Sequence, residues 1–93
     1  MGRLDMVHIK NNKQRIIHRL KIVQGHLQKV HRMIEGDKYC IDVLHQSLAV
    51  QKALKQIDML MMEDHLKTCA IHQIKEGQED KTVQELIGIY KFK

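Results

Sequence analysis

The sequence predicts an all-α protein, and three observations carry that prediction. Its 93 residues include no Pro and no Trp, with one Phe and two Tyr; helix interiors exclude proline, and strands favour aromatic side chains. Apolar residues recur at helical spacing along two long stretches, with no strand-like alternation between them. The breaks are short and polar, around Gly36-Asp37 and Gly77. One small domain, residues 1–93, is expected, with three helices of which the first two form a long antiparallel hairpin. A chain this short buries a modest share of its surface, so it gains much by assembling with copies of itself.

The first helix is expected over about residues 8–35. Ile16, Leu20, Val23, Leu27, Val30 and Ile34 follow one another in steps of four and three, a heptad-like seam. Gly36 is read as the residue that ends this helix and Asp37 as the cap of the next. Gly25 costs about 1 kcal/mol relative to Ala in mid-helix, which points to close approach by another helix or by DNA.

The second helix is expected over about residues 39–75. Val43, Ser47, Val50, Leu54, Ile57 and Met61 form one stripe, and Leu44, Leu48, Met62 and Leu66 form another. Two faces need two partners: the first helix and, most simply, a second subunit, so that two hairpins dimerise as a four-helix bundle. After the polar run EGQEDK, a third helix is expected over about residues 82–90, with Val83, Leu86, Ile87 and Tyr90 facing inward.

The net charge of +5 is concentrated at one end. Residues 1–34 hold eight Lys or Arg (Arg3, Lys10, Lys13, Arg15, Arg19, Lys21, Lys29, Arg32) against Asp5 alone, which makes that segment +7 and the remainder −2. Such an asymmetry is the electrostatic footprint of a nucleic-acid binder. Membrane binding fits less well, because the first helix lacks the Trp and Phe of interfacial helices. The opening MGRLDMVHIK holds no apolar run of signal-peptide length, and no stretch has the length of a membrane span. A cytoplasmic protein with reduced cysteines is expected, and cysteines there serve more often as ligands than as disulfides.

The stretch EDHLKTC, Glu63 to Cys69, sets His65 and Cys69 four apart, on one helical face. The other cysteine, Cys40, opens the second helix 25 residues before His65, a rise of about 37 Å along one continuous helix. A single chain cannot gather all three unless that helix is broken. Two second helices packed antiparallel about a twofold axis bring Cys40 of one chain beside His65 and Cys69 of the other, giving two identical intersubunit sites. Two thiolates and an imidazole suit Cu(I), admit Zn(II) and exclude hard ions. The plainer alternative makes both cysteines small buried hydrophobes and His65 a bystander. A cysteine hydrolase is disfavoured: it needs a base, an orienting group and an enclosed pocket, for which three helices leave little room. An enzyme with a small-molecule substrate is therefore not expected.

These residues resemble the CsoR-type metal-sensing repressors, a family of bacterial transcription factors named for the copper-sensitive operon repressor. RLKIVQGHLQKVHRMIEGDKYCIDVL (Arg19 to Leu44) is similar to the family's first helix and turn, the Cys40 and HLKTC spacing matches its ligand spacing, and ELIGIYKF (Glu85 to Phe92) resembles its third helix. The resemblance implies a three-helix protomer whose antiparallel dimers pair into a tetramer. It implies a homotetrameric repressor that binds double-stranded operator DNA without metal, and releases it when Cu(I) binds Cys40, His65 and Cys69. Tyr39 and Glu85 match positions that support the ligands in relatives; a metal-bound histidine commonly donates its other ring N–H to such an acceptor. Arg19 matches a DNA-contacting arginine, and Lys21, Lys13 and Arg15 extend that patch. On the second helix, Gln56 stands where relatives can carry Arg, with Lys52 and Lys55 nearby.

The resemblance also frames the rivals. His8 stands where nickel- and cobalt-sensing relatives carry an N-terminal histidine ligand, and a His/Cys/His/Cys set suits Ni(II), so a Ni(II)-sensing repressor is the alternative. Persulfide-sensing relatives lack a histidine at the position of His65, and formaldehyde-sensing ones lack the second cysteine, so His65 and Cys69 argue against both. A copper-storage bundle would leave the +7 segment without a purpose.

Overall fold

The computed structural model describes residues 12–92. Every element among them is helical: α1 (Lys13–Glu35), α2 (Cys40–Asp64), a π-helical turn (His65–Ala70), α3 (Ile71–Lys75) and α4 (Glu79–Phe92). The part of the expected first helix before Asn12 lies outside the described residues, and Asn12 itself stands just ahead of the first helical residue. The third helix runs Glu79–Phe92, longer at both ends than expected, and its first turn carries Glu79 and Asp80, where the positive helix end favours them.

The chain falls into two compact units, one of residues 12–61 and one containing residues 62–92. In the first, α1 and α2 form the antiparallel hairpin. Asn12 Nδ2 donates to the Leu60 carbonyl oxygen at 3.5 Å, and His26 Nε2 meets Gln46 Oε1 at 2.7 Å. Moving fourteen residues along α1, from Asn12 to His26, moves the partner fourteen back along α2, from Leu60 to Gln46, the mark of antiparallel pairing. The unit's buried side chains are Ile16, Val23 and Val30 from α1 and Val50 and Ile57 from α2. Each set is spaced by seven, so one residue per two turns enters the seam. Burying a Val or Ile contributes about 1.5–3 kcal/mol, which makes these five the main hold on the hairpin.

Half of the expected α1 seam stays outside this core. Leu20, Leu27 and Ile34 are exposed, Ile34 to 61%, and so are Leu44 and Leu48 of α2 and Leu66 of the π-helical turn, from the second expected stripe. The heptad pattern therefore encodes more apolar surface than one chain covers. Nor, among the described residues, does another element come near Gly25: a Cβ built there would meet no atom outside its own stretch of helix within 4 Å.

The turn between α1 and α2 reverses the expected roles of its two residues. Gly36 has an ordinary φ of −89°, and Asp37 takes the left-handed conformation at φ 54°. The Lys38 N–H donates to the Met33 carbonyl oxygen at 3.0 Å and the Asp37 N–H to that of Ile34 at 3.1 Å, a Schellman closure with Asp37 rather than glycine at its left-handed position. Asp37 thus ends α1 and does not cap α2; the Tyr39 carbonyl oxygen accepts the first α2 bond, from the Val43 N–H at 3.1 Å. After α3 the same closure recurs with glycine in place: Gly77 has φ 76°, and Gln78 N–H donates to the Gln73 carbonyl oxygen at 2.7 Å.

Among the described residues of the second unit the buried side chains are Asp64, Cys69, Ala70, Gln73 and Thr82, mostly polar groups and a thiol. The expectation for the third helix is corrected here. Val83, Ile87 and Tyr90 are exposed and Leu86 is half-buried, while Thr82 is the residue that α4 buries. The face that reads as inward from hydropathy is not the one α4 turns to α3, because polar bonding to Gln73 orients the helix instead.

Candidate metal centre

The expected single helix from Tyr39 to Lys75 is interrupted where the candidate ligands lie. His65 through Ala70 form a π-helical turn, whose backbone bonds reach five residues back rather than four. Thr68 makes a local contact inside it. Its hydroxyl donates to the Asp64 carbonyl oxygen at 2.6 Å, the acceptor that an α-helix would offer to the Thr68 N–H. Such turns are frequent at functional sites. Outside, the Lys67 ammonium pairs with the Glu63 carboxylate at 3.1 Å, an exposed i,i+4 contact worth only about 0.3–0.5 kcal/mol.

Within this turn Cys69 is a free thiol, 2% exposed. The Thr68 hydroxyl lies 3.7 Å from its sulfur. His65 is half-buried, and its Nε2 is buried with no hydrogen-bond partner. An orphaned buried nitrogen costs about 1–3 kcal/mol, and a native fold keeps one where an ion, a water or a moving group will meet it. The donor set fits a soft metal ion: a buried thiol and an unsatisfied imidazole on one helical face.

Cys40, the other free cysteine, is exposed at the first residue of α2, and Tyr39 before it is exposed as well. Cys40 belongs to the 12–61 unit, His65 and Cys69 to the 62–92 unit. No group of three His, Cys, Asp or Glu side chains that could hold a metal ion occurs among the described residues. His8 lies outside them. Glu85 is exposed on α4, and its Oε1 accepts a hydrogen bond from Gln73 Nε2 at 3.1 Å.

The candidate DNA contacts all lie in the 12–61 unit. Lys13, Arg15, Lys21, Lys52 and Lys55 are exposed and Arg19 is half-buried. Arg19 Nη1 donates to Gln56 Oε1 at 3.5 Å, across the hairpin from α1 to α2. Gln56 thus serves as an acceptor for Arg19. Lys52 stands one turn before Gln56, so Arg19 and Lys52 flank it. Among the described residues no carboxylate pairs with these six cations, which leaves them to other anions.

Asp64, Gln73 and Thr82 escape the sequence reading, although all three are buried. Gln73 had one signal: it repeats the four-residue step from His65 to Cys69. Asp64 and Thr82 had none, being ordinary polar residues on helices.

Residues 12–91 match the family model described as "Metal-sensitive transcriptional repressor". The copper-sensing transcriptional repressor CsoR of Mycobacterium tuberculosis (strain ATCC 25618 / H37Rv) is 40% identical over 80 residues, 86% of this chain and 67% of the relative. CsoR of Bacillus subtilis (strain 168), also named copper-sensing, is 37% identical over 79 residues, 85% of this chain and 78% of the relative. Among solved structures, the copper-sensing repressor CsoR with Cu(I) from Geobacillus thermodenitrificans NG80-2 superposes with a TM-score of 0.81 at 36% identity, covering 88% of this chain and 85% of that one.

Proposed function

Because the chain belongs to the metal-sensitive transcriptional repressor family, we propose that it is a copper-responsive repressor, holding operator DNA without metal and releasing it when Cu(I) binds between subunits. The observation that carries this reading is the buried, unpartnered Nε2 of His65, four residues from the buried thiol of Cys69. Cys40 of one chain, with His65 and Cys69 of another, would hold the ion. When bound, Cu(I) supplies a soft cation that two thiolates and one imidazole satisfy, cross-bridging two chains.

The chain's own residues do the rest. Cys40 is exposed where α2 begins, open to a second chain, while Cys69 is shielded in its own. The exposed Leu44 and Leu48 give α2 an apolar face for antiparallel pairing with its copy, and the uncovered Leu20, Leu27 and Ile34 of α1 support pairing of dimers into a tetramer. Once ligated, His65 donates its remaining ring N–H to an acceptor, and Glu85 and Tyr39 are the groups proposed to receive it. Arg19, Lys21, Arg15, Lys13, Lys52 and Lys55 neutralise operator phosphates, which provides affinity without reading sequence. A cytoplasmic location follows from this role; no helix among the described residues is long and apolar enough to cross a membrane. Copper is preferred to nickel because the relatives are copper-sensing by name, whereas the nickel reading rests on His8.

The test is a titration of the complex between the metal-free protein and a duplex selected by it from random sequence. Cu(I) should weaken binding by about 5–150-fold, the usual span of allosteric coupling, and Ni(II) should not. Unchanged DNA affinity at one Cu(I) per chain would exclude the copper reading.

A further inference from the structure

Gln73 on α3 is 5% exposed, and both ends of its amide are engaged. Its Nε2 donates to Glu85 Oε1 at 3.1 Å, and its Oε1 accepts the Thr82 hydroxyl hydrogen at 2.6 Å. Chemistry dictates this orientation. An ionised carboxylate only accepts, so the amide nitrogen must face Glu85, leaving the amide oxygen for the hydroxyl. Thr82 Oγ1 also lies 3.4 Å from the Gln78 carbonyl oxygen, but its one hydrogen is directed to the much closer Gln73. Thr82 and Glu85 stand three apart, neighbours on one face of α4. One planar amide therefore holds two points of α4. A single bond would let the helices slide or turn; two bonds from one rigid group fix both separation and rotation.

We propose that Gln73 is a positioning residue, an amide bridge to Thr82 and Glu85 that makes α4 follow any displacement of the turn carrying His65 and Cys69. Gln73 comes one helical turn after Cys69, and α3 continues the π-helical turn without a break. Opening the bridge would strand the buried Gln73 amide and leave the Thr82 hydroxyl only the longer contact to the Gln78 carbonyl oxygen, so the bridge persists while the ligand turn moves. It also sets where the Glu85 carboxylate stands, and Glu85 is one of the two acceptors proposed for His65. The inference rests on the copper-responsive reading and adds to it the part that carries the signal into α4.

Three variants of the full-length protein test it: Gln73→Leu removes both bonds at similar volume, Thr82→Val removes one and keeps shape, and Thr82→Ser retains the hydroxyl. In the metal-free protein, amide hydrogen exchange across Glu79–Phe92 should quicken about tenfold in Gln73→Leu and Thr82→Val, but not in Thr82→Ser, while Lys13–Glu35 stays as in the parent. With Cu(I) delivered from a defined chelator, Gln73→Leu and Thr82→Val should still bind one ion per site. Their ratio of metal-free to loaded DNA affinity should fall by about tenfold. Unchanged exchange in α4, or full release of DNA by both variants from a parent that releases normally, overturns the role of Gln73 and leaves the copper reading standing. A parent that keeps its DNA when loaded overturns the copper reading and the transmission together, whatever exchange shows.

Discussion

Thr68 donates its hydroxyl hydrogen to the main-chain carbonyl oxygen of Asp64 at 2.6 Å, inside the turn that carries His65 and Cys69. The bond competes with the Thr68 N–H for an acceptor that a regular α-helix would offer it, the kind of local back-bonding that bends helices. Thr68→Val frees that carbonyl for the Thr68 N–H and lets the segment relax toward α-geometry, turning Cys69 relative to His65. Cu(I) affinity, measured by competition with a chromogenic chelator, should drop about tenfold, the scale of losses around metal ligands. Thr68→Ser should keep the parental value. A Thr68→Val protein with parental affinity would separate the hydroxyl from the site.

Asp37 and Gly36 make a second test, of stability. Asp37 stands at φ 54°, a region costing an L-residue roughly 1–2 kcal/mol that glycine enters freely. Asp37→Gly should stabilise the protein by about 0.5–1 kcal/mol, less than the full strain because glycine also loosens the unfolded chain. Gly36→Ala should be milder: φ is ordinary there, although a new Cβ would meet the Arg32 carbonyl oxygen at 3.3 Å. Gly77→Ala, at φ 76°, should lose about 1 kcal/mol. Urea unfolding at one fixed protein concentration checks all three, since assembly makes stability concentration-dependent. An Asp37→Gly variant less stable than the parent would show that the aspartate side chain contributes more than its strain costs.

Much of this architecture was legible before the structure, and the exceptions have physical reasons. The hairpin followed from the four-three spacing of Ile16 to Ile34, yet the same spacing could not tell Val23, which is buried, from Leu27, which is not. A heptad seam specifies that a face is apolar, not which chain covers it. That His65 and Cys69 fall within one helical turn was legible because a four-residue step spans about a turn in an α- or a π-helix; the turn type was invisible for the same reason. Gln73 and Thr82 were missed because hydropathy treats polar helix residues as solvated. Only coordinates reveal that they satisfy one another.

DNA binding should be electrostatic and seated on the hairpin. Binding by metal-free protein should weaken steeply with salt, by roughly 10³–10⁵-fold between 50 and 200 mM if six to ten phosphates are contacted. Arg19→Ala and Lys21→Ala should each lower the log–log salt slope by about 1 for every subunit that touches phosphate, leaving Cu(I) affinity intact. Gln56→Ala removes the acceptor of Arg19 and should weaken DNA binding less than Arg19→Ala does. A flat salt response, measured by fluorescence anisotropy, would remove the nucleic-acid reading.

The composition of the metal centre can be decided by mixing defective subunits. Cys40 opens α2 and is exposed, whereas Cys69 is buried beside His65 in the turn beyond α2. If one chain contributes the first and its neighbour the second, a Cys40→Ala homodimer lacks one ligand at both sites, and so does a Cys69→Ala homodimer. A heterodimer of the two differs. One of its sites combines the alanine of each chain and loses two ligands; the other combines the intact Cys40 of the Cys69→Ala chain with the intact His65 and Cys69 of its partner. Unfolding and refolding the two variants together should therefore restore tight Cu(I) binding at one site in each heterodimer. With random pairing, half the dimers are mixed, so a quarter of all sites should recover. Copper bound per chain at a chelator-buffered free concentration measures this directly. A site confined to one chain predicts no recovery on mixing, because every subunit would still lack a cysteine of its own. Recovery near a quarter supports ligands shared between subunits, and none refutes it.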